Sequence, residues 1–289
     1  MANDRERERP IGVFDSGIGG LTVAAAIKEA LPVEDIVYFG DLLHLPYGSK
    51  SGKAVLDFTR AAAHFLLERS VKIIVIACNT ATSIAKEQIE CEIDVPVVGV
   101  IEPGARAACE ITKTGRIGVI GTQRTIMSNA YRNAIRGFDA RVSVFQKATP
   151  LLVPLIEEGW QSHPVMGMVL SEYLKDFRSK GVDTLVLGCT HYPLIKTEIQ
   201  GLMNGVEVVD SAYTTAQEIV EMMKDVGMLR EKRKGMQGIY KIYLTDYTEV
   251  FRSMGEKIIG RVLDDLNIIN LNWTEGKLGY HFPDMTIRV

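Results

Sequence analysis

Two cysteines, Cys78 and Cys189, stand in matching local settings. The run Val71-Lys72-Ile73-Ile74-Val75-Ile76-Ala77-Cys78-Asn79-Thr80 aligns without a gap on Val182-Asp183-Thr184-Leu185-Val186-Leu187-Gly188-Cys189-Thr190-His191. Each is an apolar run, a small residue, a cysteine at the C-terminal end, then side chains able to hydrogen-bond. In parallel α/β sheets, ligands bind just outside the carboxyl ends of the strands. Two thiols brought there by matching strands suit one site with a thiol on each side. Such a pair can take a proton off one face of a carbon and return one to the other. A free cysteine is most often a small buried hydrophobe. The equivalent placement and the polar followers weigh against that for these two. A helix starting just after each cysteine is expected to lower the thiol pKa from about 8.5. Cys91 and Cys109 lack polar company and read as packing residues.

Other candidates fall at the same sheet edge. Asp15-Ser16-Gly17-Ile18-Gly19-Gly20 follows a first strand. Its spacing is G-x-G-G rather than G-x-G-x-x-G, and no Walker lysine follows, which disfavours a cofactor phosphate. The turn still leaves backbone amides at a helix N-terminus, suited to a carboxylate. Asp15 could cap that helix, act as base partner to a thiol, or grip an ammonium group. Pro46-Tyr47-Gly48-Ser49 follows the second strand, where an ordinary turn is the plain reading. His191, two residues past Cys189, is either structural or a proton partner for that thiol. A metal held by Cys78, Cys189, His191 and Asp15 matches no familiar closed site. Glu157 and Glu158 form an acidic pair of a kind that is usually solvated, and composition does not single them out.

These residues need a scaffold, and the pattern supplies one. Strand-like runs at 11–15, 36–41, 71–77 and 95–100 alternate with helical patterns at 21–31, 52–69 and 80–90. Near-continuous apolar strands alternating with helices predict a parallel sheet covered on both faces. The pattern restarts with a strand at 116–121, a helix at 125–136 and a strand at 141–146. A long helical stretch over 151–180 then leads to a strand at 182–188. A helix at 194–203, a short strand at 207–210, a helix to about 226, a strand at 239–245 and a helix over 248–266 complete the reading.

Ile11-Gly12-Val13-Phe14-Asp15-Ser16 resembles Ile117-Gly118-Val119-Ile120-Gly121-Thr122. Each half opens with such a strand and later carries a strand ending in cysteine. This internal duplication predicts an α/β protein of two similar domains, related by a pseudo-twofold, with the site in the cleft between them. The first domain is expected to comprise 1–98 plus 211–289, with Asp15, Tyr47 and Cys78. The second comprises 99–210, with Thr122, Glu157, Cys189 and His191. The C-terminal elements are expected to return to the first domain.

Bulk properties narrow the classes. An apolar content of 46% with 24% charged residues is that of a globular protein with a core. A net charge of −3 gives no global basic field for nucleic acid. No apolar run reaches the roughly 18 residues that span a bilayer. Residues 1–10 are highly charged, lack a signal-peptide core and read as a disordered lead-in. A cytoplasmic location follows as the expectation, in which disulfides are not expected.

Taken together, the residues resemble those of the glutamate racemase family. The carriers are IGVFDSGIGGLTV (11–23), the Pro46-Tyr47-Gly48 turn, ACNTAT (77–82), GVIEPG (99–104), IGVIGT (117–122) and LGCTHYPL (187–194). They occur in order across residues 11 to 213, and the combination is far more specific than any piece. The resemblance implies an enzyme without cofactor that interconverts L- and D-glutamate, the latter feeding peptidoglycan. It implies that Cys78 and Cys189 are the acid/base thiols, Cys78 acting on D-glutamate and Cys189 on L-glutamate. Asp15 would assist Cys78; His191 and Glu157, chosen over Glu158, would assist Cys189. Asp15, Ser16, Tyr47, Gly48, Asn79, Thr80, Thr190 and His191 would hold the substrate's charged groups, with Thr122 added as symmetry partner of Ser16. The resemblance further implies no metal, no direct nucleic-acid contact, no membrane and a homodimer; some members interact with DNA gyrase. An aspartate racemase with the same two thiols is the alternative, since the motifs do not fix side-chain selectivity. A two-lobed binder without turnover, or a cysteine hydrolase, would leave the second equivalent thiol superfluous.

Overall fold

The computed structural model describes residues 3–231, 235–263, 266–274, 277–281 and 286–287. Its strands are β1 (Ile11–Asp15), β2 (Ile36–Gly40), β3 (Ile73–Ile76), β4 (Val97–Gly99), β5 (Arg116–Gly121), β6 (Ser143–Ala148), β7 (Thr184–Gly188), β8 (Glu207–Asp210), β9 (Tyr240–Leu244), β10 (Leu266–Ile268), β11 (Asn270–Thr274), β12 (Lys277–His281) and β13 (Thr286–Ile287). One sheet has the order β13-β10-β9-β2-β1-β3-β4 and another β6-β5-β7-β8, while β11 and β12 form a hairpin. Pairing is parallel throughout both sheets except between β10 and β13.

The duplication seen in the sequence is a duplication of topology. β1 lies between β2 and β3, and β5 lies between β6 and β7 in the same sense. All residues of β1, β2, β3 and β7 are buried. Continuous apolar runs fit this burial, because helices cover both faces of a parallel sheet. β6 is an edge strand, and its residues are half-buried or exposed.

The helices are α1 (Asp4–Arg7), α2 (Leu21–Ala30), α3 (Gly52–Glu68), α4 (Asn79–Glu92), α5 (Ile101–Ile111), α6 (Gln123–Met127), α7 (Ala130–Phe138), α8 (Leu152–Glu157), α9 (Pro164–Ser179), α10 (Lys196–Leu202), α11 (Ser211–Asp225) and α12 (Glu249–Ile259). α2, α4 and α6 each start within a few residues of a strand's carboxyl end, so their first turns meet the sheet edges that carry the candidate residues. No helix among the described residues is long and apolar enough to cross a membrane.

Several local expectations change. The helix expected over 125–136 is two helices, α6 and α7, broken at Asn129, which adopts a left-handed φ of 57°. The stretch 151–180 is α8 and α9 with a turn between them. The helix expected over 248–266 stops at Ile259, where Gly260 takes a left-handed cap, and β10 follows. Glycine is the residue that adopts this cap without steric cost.

The lead-in is not disordered from residue 3 onward. Asn3 and Glu6 form a capping box on α1, and Arg7 Nε donates to the Gly227 carbonyl at 3.0 Å. The physical reason lies beneath it. Lys72 Nζ is buried against Glu34 Oε2 at 2.6 Å, and it also donates to the carbonyls of Arg7 at 2.7 Å and Met228 at 3.0 Å. The lead-in backbone therefore supplies one of the three acceptors a dry ammonium needs. Glu34 Oε1 in turn accepts the Arg230 amide at 2.8 Å.

Removing one partner of a buried ion pair leaves an uncompensated charge, so Lys72→Met should lower unfolding stability by about 3–5 kcal/mol. Urea denaturation measures this, and Lys72→Met combined with Glu34→Gln should recover part of the loss. A single variant within 1 kcal/mol of the parent would show that this cluster does not hold the lead-in down.

Candidate active site

The first sheet delivers an acid and a thiol. Asp15 ends β1, and its Oδ2 accepts the amides of Gly17 and Gly20, both at 2.9 Å, which folds the turn back on itself. Tyr38 Oη donates to the Gly17 carbonyl at 2.5 Å from below. A Cβ on Gly20 would collide with the Asp15 side chain, and one on Gly19 with Thr190 Oγ1 and His191 Nδ1. The G-x-G-G spacing thus reflects a close approach between the two sheet edges rather than a phosphate loop. Asp15 Oδ1 is buried with no hydrogen-bond partner in the protein. Burial pushes the Asp15 carboxyl pKa up, against the charge of His191 and the turn amides, which pull it down.

Cys78 caps α4. Its sulfur accepts the Ala81 amide at 3.5 Å, and its thiol donates to Ser16 Oγ at 3.5 Å. The expectation that a helix N-terminus lowers this pKa is overturned. Burial, followed by the charge of Asp15, pushes the thiol up to about 12, and the helix amide and Ser16 offset only part of this. Desolvation penalises the thiolate more than the amide favours it.

The second sheet delivers a thiol and an imidazole. Cys189 follows β7 directly, and its Sγ lies 3.9 Å from His191 Nδ1. The other ring nitrogen, Nε2, lies 3.0 Å from Glu157 Oε1, at the end of α8. Burial alone would lower the His191 pKa. Its contacts with Cys189 and Glu157 outweigh burial and push it up to about 10. Of the acidic pair, Glu157 is the residue that reaches the ring.

A cavity of about 470 Å³ opens between these edges. Ser16, Tyr47, Gly48, Cys78, Asn79 and Thr80 line one side; Thr122, Glu157, Cys189, Thr190 and His191 line the other. The sequence-nominated residues therefore meet around one space, except Asp15, which lies behind the wall and is fully buried. Cys78 and Cys189 share the cavity closely enough that charge on Cys189 adds to the rise of the Cys78 pKa. Tyr47 offers the cavity its ring and backbone, because its hydroxyl donates to Asp41 Oδ2 at 2.6 Å. Gly48 sits where a Cβ would come within 2.9 Å of Thr122 Cβ.

Contacts across the gap join the two edges. Thr80 Oγ1 lies 2.9 Å from Thr122 Oγ1 and 3.3 Å from Thr125 Oγ1. Thr22 Oγ1 is 3.1 Å from the Thr190 carbonyl, and Tyr131 Oη donates to Asn79 Oδ1 at 2.7 Å. Arg124 Nε and Nη2 donate to the Lys50 carbonyl at 3.0 and 2.7 Å. Of the residues that brace the site, Arg124 and Tyr131 are not marked by sequence pattern. Asp41 alone carries a signal, as the residue just after β2, and it also binds Thr245 Oγ1 at 2.9 Å and His44 Nδ1 at 2.8 Å. Of the remaining thiols, Cys109 is half-buried on α5, its thiol donating to the Ile135 carbonyl at 3.5 Å. Cys91 is exposed on α4 instead of packed. Among the described residues, no group of three or more His, Cys, Asp or Glu is placed to hold a metal ion.

The geometry can be set beside known proteins. The family described as Asp/Glu/Hydantoin racemase matches residues 18–219. Glutamate racemase of Neisseria meningitidis serogroup C is 44% identical over 266 residues, covering 92% of this chain and 98% of its own. That of Geobacter metallireducens is 45% identical over 264 residues, covering 91% and 97%. The crystal structure of glutamate racemase from Francisella tularensis, in complex with D-glutamate, superposes with a TM-score of 0.85 at 37% identity, covering 91% of this chain and 97% of that one.

Two titrations check the electrostatics. Cys78 should stay protonated through pH 9, so its alkylation by iodoacetamide, mapped by mass spectrometry, should keep accelerating above pH 10; a plateau below pH 9 would contradict its burial. For His191 the folded pKa of about 10 lies above the ordinary 6.5. Its stabilisation is therefore complete below pH 6.5 and is lost as pH rises through about 10. His191→Asn should flatten that part of the pH dependence of unfolding free energy; an unchanged slope would place the proton elsewhere.

Proposed function

Because the chain belongs to the Asp/Glu/Hydantoin racemase family, we propose that it interconverts L- and D-glutamate and so supplies D-glutamate for peptidoglycan. The observation that carries this reading is one cavity lined by two buried thiols from equivalent strand ends of two duplicated sheets. The glutamate racemases among its relatives support glutamate over the aspartate alternative.

In the L-to-D direction, a Cys189 thiolate against the protonated His191 ring takes the α-proton. The C–H electron pair moves onto the α-carbon and into the adjoining carboxylate. The thiol of Cys78, which holds its proton tightly, delivers it to the opposite face. The reverse direction exchanges the roles, and Asp15, with Oδ1 free of protein partners, receives the Cys78 proton. Glu157 holds the His191 ring by its far nitrogen. An α-proton is so weakly acidic that placement, donors aimed at the developing charge and exclusion of water must supply the rate. Ser16, Asn79, Thr80, Thr190 and the first amides of α4 offer donors for a carboxylate. Tyr47, Gly48 and Thr122 shape the wall facing them.

We also place the domains at 1–98 plus 211–289 and at 99–210. Sheet membership supports this, with β1–β4 joined by β9, β10 and β13 in one sheet and β5–β8 in the other. The same reading extends to a homodimer in the cytoplasm.

With purified protein in D₂O, the glutamate α-proton should exchange with solvent without added pyridoxal phosphate or metal, and L-glutamate should racemise far faster than L-aspartate. Cys78→Ala and Cys189→Ala should each cut racemisation by about 10²–10⁴-fold, the usual share of general acid–base catalysis. A Cys189→Ala protein that still racemises at the parent rate would sink the two-thiol mechanism.

A further inference from the structure

We infer that Tyr131 is a positioning residue that takes up the Asn79 carboxamide oxygen and so leaves the unpaired nitrogen as the donor for a substrate carboxylate. The inference deepens the racemase reading and rests on it.

Tyr131 lies on α7, in the part of the chain that carries β5–β8, and is 1% exposed. Asn79 opens α4, beside β3 of the other sheet, and is 2% exposed. The phenol oxygen is 2.7 Å from Asn79 Oδ1. Burial raises the phenol pKa, so the hydroxyl keeps its proton and has one to donate. A hydroxyl donating to the amide oxygen fixes which way the carboxamide points. Nδ2 must then face away from Tyr131, and Asn79 lines the cavity. Nδ2 is indeed buried with no hydrogen-bond partner in the protein.

An unpaired buried N–H is costly to keep, and such groups call for an explanation. A carboxylate in the cavity supplies one, because it accepts from Nδ2 and from the neighbouring helix amides together. The ring itself is wedged. A Cβ on Gly188 would come within 3.0 Å of Tyr131 Cε2, and one on Gly104 within 3.5 Å of Cε1. Two glycines from separate motifs therefore leave room for the two edges of the ring, which fixes where its hydroxyl ends. Without that hydroxyl the carboxamide is free to turn, presenting its oxygen to an anion in some fraction of molecules.

Two variants of the full chain test this. Tyr131→Phe removes one oxygen and should raise KM for both glutamate enantiomers about tenfold, with a smaller change in kcat. Asn79→Asp keeps an oxygen for Tyr131 but replaces the donor with an anionic acceptor. It should lower kcat/KM by about 100-fold or more, whereas a purely structural latch would survive it. Tyr131→Phe added to Asn79→Ala should cost nothing further if the tyrosine acts through the asparagine. A folded Tyr131→Phe protein with KM within twofold of an active parent overturns the inference, as does a parent-like Asn79→Asp. If Tyr131→Phe does not fold, Asn79→Asp decides alone. A parent that does not racemise glutamate overturns the functional reading instead, and calorimetric titration with D-glutamate then carries the same comparison as a ratio of Kd values.

Discussion

A thiolate can take a proton from an amino acid's α-carbon only where water does not compete for the charge, so the two sheet edges have to meet. That single constraint organises the rest of the molecule. Cys78, Cys189, Asp15 and His191 are all buried, and burial penalises every charged form among them. Asp15 and Cys78 respond by holding their protons more tightly. His191 responds in the opposite sense, because Cys189 on one nitrogen and Glu157 on the other outweigh its desolvation. Gly19 and Gly48 are the steric side of the same constraint: any side chain there would push the opposing edge away.

The two thiols sit in duplicated backbones but have different partners, and thermodynamics says how that difference can act. Mirror-image substrates have equal free energies, so kcat/KM is the same in both directions at every pH. The unequal partners cannot favour one enantiomer. They can only set which protonation pattern the resting site holds. Cys78 holds its proton tightly, and Cys189 lies 3.9 Å from the His191 ring, so the two thiols present unlike surroundings to the cavity. Asymmetry of this kind divides kcat from KM in each direction while leaving their ratio matched.

Much of this was legible in the chain. The alternation of apolar runs and helical periods gave two parallel sheets, and the strand–cysteine alignment placed Cys78 and Cys189 at equivalent edges. Those signals are local and periodic, which is why they survive without a structure. Long-range electrostatics does not. The rise of the Cys78 pKa depends on Asp15, far away in sequence and brought close by the pairing of β1 with β3. The docking of residues 3–10 completes the acceptors of the Lys72 ammonium, whose third partner is the Arg7 carbonyl beside Glu34 and Met228. Asp41 gave a faint signal by following β2, whereas Tyr131 gave none: a tyrosine on a helix looks like core until its hydroxyl is seen to meet another unit. The break between α6 and α7 was hidden for a similar reason. Asn129 costs little in a left-handed turn, and its neighbours keep helical periodicity on both sides.

The first turn of α4 ties the two sheet edges together at the site. Cys78 caps the helix, Asn79 meets Tyr131, and Thr80 meets Thr122 and Thr125, so three consecutive residues carry a thiol and three bonds to the opposite edge. A shift of about 1 Å between the edges would break the hydroxyl contacts, release the Asn79 carboxamide and admit water to Cys78 together. No separate lid is required for that coupling. Asn79 and Thr80 line the cavity next to Cys78 in sequence, and their own partners lie across the gap.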